Sequence, residues 1–243
     1  DPVRDAEVVE TELMLADLDS LERRVAAAEK RARGGDKEAK ALLDIAEPLL
    51  AALRDGKPAR AAGIPLAELR PLQLLSAKPV LYVANVDEGD AADGNAQSRR
   101  VGGYAASQGA ATVVISAAIE AELMQLGDEA ERSDYLTALG LDEPGLTRVI
   151  GVGYKLRGLV TFLTVGPKEA RAWTVTHGSK APQAAGVIHT DFEKGFIRAE
   201  TISYDDFVTC GGEQGAKDSG KMRLEGADYV VADGDIMHFR FNV

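Results

Sequence analysis

Between residues 14 and 53, apolar side chains recur at alternating steps of four and three. Met14, Leu18, Leu21, Val25, Ala28 and Ala32 make one seam, and Ala39, Leu42, Ala46, Leu49 and Leu53 make a second. This spacing keeps one stripe of a helix apolar and commits the segment to helices packed along that stripe. "RGGDKEA" interrupts the pattern. Gly34 and Gly35 suit a left-handed turn after a helix, and Asp36 suits the N-cap of the next. Two helices joined by so short a turn fold back as an antiparallel hairpin. Pro48 is expected to bend the second helix, and Gly56 to end it. Such a hairpin is either an internal packing element or an exposed arm that meets a partner.

The next segment changes period. "PVLYVANV" and "AATVVIS" are short apolar runs, read as strands, and "AQSRRVGGYAASQG" between them reads as a helix despite Gly102 and Gly103. Helices follow near residues 119–126, 129–139 and 144–156. Strand–helix–strand with apolar strands implies a parallel sheet covered on both faces. Two strands are few for such a sheet, so further strands are expected from elsewhere. The opening "DPVRDAEVVE" is charged and periodic without an initiator Met. It reads as continuing from a longer protein or as a processed terminus.

From about Gly158 the chain is β-rich. "LVTFLTVG", "ARAWTVTH", "IRAETISY" and "YVVADGDIMHFRFNV" read as strands, with "APQAAGVIH" as one short helix. A small mixed sheet grasping a helix is expected, as a separate α+β domain.

The formal net charge is −11. An acidic chain does not bind nucleic acid through bulk charge, so RNA binding would require a local basic patch. The single cysteine, Cys210, leaves no internal disulfide, which fits a reducing compartment. No apolar run approaches the roughly 18 residues that cross a bilayer, and a cytoplasmic protein is expected.

The strand end "YVANVDEG" carries the chemistry. In α/β sheets ligands bind beyond the carboxyl ends of strands. Regulatory GTPases carry Asn-Lys-x-Asp at such a strand end, where it reads guanine. Here the residues are Asn85, Val86, Asp87 and Glu88. A carboxylate accepts both guanine donors, N1–H and the 2-amino group, but cannot satisfy the N1 acceptor of adenine. Replacing Asp by the longer Glu, and Lys by Val, should lose guanine preference. Backbone groups and the Asn85 side chain would then hold adenine. A plain polar loop is the alternative. The second strand ends in Ser116, Ala117 and Ala118, where GTPases have Ser/Cys-Ala-Lys. The apolar replacement at both strand ends is more specific than either alone.

Other features carry less. "GAKDSGKM" approaches the phosphate loop G-x-x-x-x-G-K-[ST], but Met222 stands where the Mg²⁺-binding hydroxyl belongs, and no buried strand precedes it. His189, Asp191 and Glu193 suggest surface turn residues rather than a metal site. Lys194 and Arg198 beside Phe192 and Phe196 suggest core aromatics with solvated neighbours, or a small contact patch. Trp173 and Cys210 are read as structural.

Several long stretches resemble the Obg-like ATPases of the YchF type. They are "DPVRDAEVVETELMLADLDSLERR", "GGDKEAK", "KPVLYVANVDE", "EPGLTRVIGVGYKLRGLVTFLTVGPKEARAWTV", "AAGVIHTDFEKGFIRAETISYDDF" and "MRLEGADYVVADGDIMHFRFNV". The resemblance implies an α/β and α+β multidomain protein. Residues 1–75 would be an antiparallel coiled-coil hairpin inserted in the nucleotide-binding domain. Residues 76–157 would supply the end of a P-loop NTPase parallel sheet, and residues 158–243 a ubiquitin-like β-grasp (TGS) domain. It also implies a P-loop ATPase of the translation-factor class that prefers ATP to GTP. The altered base motif maps onto Asn85, Val86, Asp87 and Glu88, and the second base-contacting turn onto Ser116, Ala117 and Ala118. Partners would be ATP and the ribosome or RNA, met through the coiled coil and TGS domain, with neither DNA nor membrane. The phosphate loop, the Mg²⁺-binding residues and the catalytic His of the family lie upstream of "DPVRDAEVVE". No catalytic or metal-ligating residue is therefore expected in this chain, which alone would be inactive. The alternative is a non-enzymatic ribosome- or RNA-binding adaptor.

Overall fold

The chain is described by a computed structural model covering residues 1–242. It divides into two compact units, Asp1–Val152 and a second from Gly153 onward.

The first unit opens with α1 (Pro2–Arg33) and α2 (Lys37–Arg54), the expected hairpin. Asp1 caps α1 by accepting from the Val3 amide, and Pro2 occupies the first turn, where its missing N–H costs nothing. Asp36 caps α2, accepting from the amides of Glu38 and Ala39. Gly35 turns the chain between them at φ +88, a conformation that favours glycine. Helix α2 continues through Pro48 to Arg54. The seam residues Leu21, Ala46, Leu49 and Leu53 are buried together. Burying each leucine contributes about 1.5–3 kcal/mol.

The root of the hairpin is tied down by carboxylates. Asp17, on the packed side of α1, is only 3% exposed. It accepts from the amides of Leu75 and Ser76, both at 2.7 Å, and from the Ser76 hydroxyl at 2.6 Å. A short helix, α3 (Leu66–Leu69), and flanking 3-10 turns bring Ala59, Leu69, Leu72 and Leu74 into the hairpin core.

Strands β1 (Leu81–Asn85) and β2 (Ala111–Ile115) pair in parallel, in register from Leu81–Ala111 to Asn85–Ile115. Helix α4 (Ala96–Ser107) connects them. It tolerates Gly102 and Gly103 because a reciprocal Asn95–Ser98 capping box fixes its start. Helices α5 (Ala117–Leu123), α6 (Glu129–Ala138) and α7 (Gly145–Arg157) follow. Ile119 and Leu123 of α5, Leu136 of α6 and Leu141 after it pack together. The sheet is not covered on both faces by the described residues, because Val83 in the middle of β1 is 45% exposed.

In the second unit β3 (Leu159–Val165) and β4 (Ala170–Thr176) form an antiparallel hairpin. Helix α8 (Ala181–Ile188) crosses to β5 (Phe196–Ser203), with a second short helix, α9 (Thr190–Lys194), where surface turn residues were expected. Two further short helices, α10 (Tyr204–Thr209) and α11 (Glu213–Asp218), precede β6 (Arg223–Glu225) and β7 (Asp235–Phe241). The strand order is β4-β3-β7-β5-β6, with the first and last strands parallel neighbours. That order, with α8 packed on one face, is the β-grasp arrangement. Phe162, Val175, Ala184, Ala185, Met237 and Phe239 fill the space between helix and sheet.

Candidate functional site

The site is built at the carboxyl ends of β1 and β2. Their parallel register puts Asn85 opposite Ile115, one residue before the turn at Ser116. The Asn85 Oδ1 accepts the amide hydrogen of Ala117 at 2.9 Å, and the Val86 amide donates to the Ile115 carbonyl, also at 2.9 Å. Two loops separated by 30 residues of sequence are thereby joined at their bases. With its oxygen engaged, Asn85 presents its NH₂ group as a donor. A purine offers the N7 acceptor to such a donor, whichever base it is.

Glu88 opens a 3-10 turn, Glu88–Asp90, and is exposed, as are Asp87, Ala117 and Ala118. No hydrogen bond ties Asp87, Glu88 or Ala118 to Asn85 among the described residues. Ser116 is buried, and its hydroxyl finds no partner there. Asn85 and Val86 also line a cleft of about 300 Å³, with Tyr82, Asn95, Ser98 and Val101 on its walls. That volume is at the lower end for small-ligand sites.

Two neighbours escaped the sequence. On α6, Tyr135 donates to a carboxylate oxygen of Glu122. That hydrogen bond, then burial, then the negative charges of Glu122 and Glu88 push its phenol up to about 12. Glu120, on α5, accepts from the amides of Gly145 at 2.6 Å and Leu146 at 3.2 Å, and so caps α7 from a distance. Neither has a sequence signal, since a tyrosine or glutamate on an amphipathic helix is ordinary.

Behind the strand end, Glu10 of α1 reaches β1 and α4. It accepts from Arg60 at 2.8 Å, the Tyr82 hydroxyl at 2.7 Å and the Tyr104 hydroxyl at 3.0 Å. Burial would raise the Glu10 carboxyl. The hydrogen bonds from Tyr82, Arg60 and Tyr104 outweigh it and hold the group below its usual range. Burial and Glu10 in turn push Tyr104 up to about 12.

The near-match Gly215–Met222 lies in α11 and the turn after it, not between a buried strand and a helix. No group of His, Cys, Asp and Glu able to hold a metal occurs among the described residues. Phe192 and Phe196 pack against the β-grasp core, the bland alternative to a contact patch. No helix of the described residues is long and apolar enough to cross a membrane.

Comparison with known proteins gives a consistent result. Residues 159–242 match the family described as "YchF-GTPase_C: Protein of unknown function (DUF933)". The chain is 52% identical over 246 residues to the ribosome-binding ATPase YchF of Haemophilus influenzae, covering all of this chain and 67% of that protein. It is 46% identical to the protein of that name from Bacillus subtilis, of which it covers 68%. The structure of the Schizosaccharomyces pombe YchF GTPase superposes with a TM-score of 0.84 at 32% identity, over 99% of this chain and 66% of that one. The chain thus spans about two thirds of the length of these relatives. With such identity running from one end to the other, the chain belongs to the YchF family.

Proposed function

We propose that this chain supplies the base-reading side of an ATP site and the ribosome-binding parts of a YchF-type ATPase. The observation that carries the reading is the Asn85–Ala117 hydrogen bond. It joins the two candidate loops at their bases and leaves the exposed Asn85 side chain its NH₂ group as a donor, which supports the reading. Asn85 would hold a purine at N7 without distinguishing adenine from guanine. Selection would then rest on Val86, Asp87, Glu88 and the Ser116–Ala118 turn. Adenine presents a donor at N6 and guanine an acceptor at O6. An ionised Glu88 accepts only, so it suits the 6-amino group and opposes O6. The relatives' names disagree on the nucleotide, ATPase in one set and GTPase in the other. In this reading an accepting Glu88 supports ATP.

Phosphoryl transfer needs a phosphate cradle and Mg²⁺. Among the described residues the only near-match to a phosphate loop stands in the wrong context. The chemistry would belong to the third of the relatives' length that this chain does not span. That third would also cover the exposed side of β1. Beside Val83 lies an apolar groove of about 430 Å³, whose walls include Ile115, Leu123, Met124, Leu146 and Val149. In this reading residues 1–75, 76–157 and 158–243 act as partner-binding arm, base-reading portion and TGS module of a cytoplasmic protein.

Competition between ATP and GTP for the full-length protein tests the proposal. ATP should displace a labelled adenine nucleotide at lower concentration than GTP does. Equal potency would remove the base argument.

A further inference from the structure

One carboxylate gathers three separate elements at the root of the hairpin. Glu10 of α1 accepts from the Arg60 guanidinium, from the Tyr82 hydroxyl of β1 and from the Tyr104 hydroxyl of α4. Its side chain is only 12% exposed. The two tyrosine rings meet edge to face, with centroids 5.8 Å apart. Arg60 also donates from its backbone amide and its side chain to the Ser76 carbonyl, and Ser76 is held by Asp17. Stability alone does not call for this arrangement. A buried ion pair is often matched by apolar side chains of the same volume, so it is weak evidence of a stabilising role. Apolar packing would let α1, β1 and α4 slide on one another, whereas hydrogen bonds fix distance and direction.

Two arms lead from Glu10 to the candidate base-reading loops. The first is β1, in which Tyr82 stands three residues before Asn85, about 10 Å along the strand. The second is α4, in which Tyr104 lies nine residues after the N-cap Asn95, about 13 Å along the helix. The Asn95 side-chain amide donates to the Asp90 carboxylate at 2.9 Å, and Asp90 closes the turn that Glu88 opens. Asn85 and the Glu88 turn thus stand at the far ends of two rods joined at one carboxylate. Sliding of either rod at Glu10 would change their separation. Binding groups keep a productive geometry, to within about 0.5 Å, only where supporting hydrogen bonds of this kind lock them.

We propose that Glu10 is a positioning residue for base selection. By clamping Tyr82 to Tyr104 it sets the spacing between Asn85 and the Glu88 turn, and through Arg60 it ties that spacing to the root of the hairpin. The proposal rests on the ATP reading given above.

The test measures ATP and GTP affinities of the full-length protein, of its Y82F/Y104F variant and of its E10D variant. The phenylalanines keep both rings and remove the two hydroxyl donors. The aspartate keeps the charge and withdraws the carboxylate by one methylene. In both variants the preference for ATP over GTP should fall about three- to tenfold, the range spanned by one hydrogen bond. Leu49→Ala is the control for lost stability, since Leu49 is fully buried in the hairpin core and takes no part in these hydrogen bonds. It should lower the melting temperature and leave the preference unchanged. Circular dichroism checks that each variant is folded. A preference unchanged in both variants would overturn the proposal, make Glu10 a structural residue only, and leave the base reading standing. A preference that falls equally in L49A would also overturn it, because selection would then follow stability rather than position. No ATP preference in the unaltered protein would remove the base reading, and this proposal with it.

Discussion

Asn85 and Ala117 are 32 residues apart in sequence and share one hydrogen bond, amide to side-chain oxygen, at 2.9 Å. The bond joins two loops at their bases and leaves the NH₂ end of the Asn85 amide free to donate. Asn85→Asp keeps the acceptor for Ala117 and replaces the outward donor by an oxygen. The protein should stay folded while nucleotide affinity falls about tenfold, the worth of one hydrogen bond of about 1.4 kcal/mol. Titration calorimetry with ATP checks this. Unchanged affinity would mean that the Asn85 amide does not meet the base.

Val86 and Glu88 should set which purine is preferred. The double substitution Val86→Lys and Glu88→Asp restores the guanine-reading pattern at this strand end. The ratio of ATP to GTP affinity should move toward GTP by about tenfold or more, because the shorter Asp carboxylate, unlike that of Glu88, would meet both guanine donors. Binding curves for the two nucleotides measure it. No movement would remove these positions from base selection.

Glu10 couples the hairpin root to β1 and α4. Its carboxyl is held below the usual value in the folded protein, so it stabilises fully above the unfolded value of 4.5. That contribution is lost as pH falls below 4.5 and through the folded value. Glu10→Gln should destabilise by about 2–3 kcal/mol at neutral pH, the worth of hydrogen bonds to a charged group. It should also flatten the acid limb of stability against pH below 4.5. Urea midpoints at pH 7 and pH 4 provide the comparison.

Gly145 is the packing point between β2 and α7. A Cβ there would meet the Ile115 Cγ2 at 2.9 Å and the Glu120 Oε1 at 3.0 Å. Gly145→Ala should cost about 1–3 kcal/mol through overpacking. Glu120→Ala, which removes the carboxylate that caps α7, should make Gly145→Ala less damaging. A thermal-unfolding double-mutant cycle reads the coupling, and strict additivity would contradict it.

The hairpin was legible because its chemistry is periodic. Leu21, Ala28, Ala39, Ala46, Leu49 and Leu53 stand at seam positions, and all are buried. Asp17 was not legible, since a carboxylate reads as a solvated residue until its three donors are in view. Helices α9, α10 and α11 and strand β6 are too short to show a period. The apolar run in β1 suggested two covered faces, yet Val83 is exposed, because the covering of a sheet is set by what packs on it and not by the strand. At the site, residue types at two strand ends could be read from sequence. Their union through Asn85 needed the parallel register, which no local pattern encodes.

The proposed function requires the Asn85–Ala117 surface to meet an adenine. The most direct measurement follows the backbone amide signals of Val86, Glu88, Ala117 and Ala118 by NMR as ATP or GTP is added to this chain. Shifts should be confined to these two loops and should saturate at lower concentration with ATP than with GTP. Shifts elsewhere, or GTP saturating at equal or lower concentration, would contradict it.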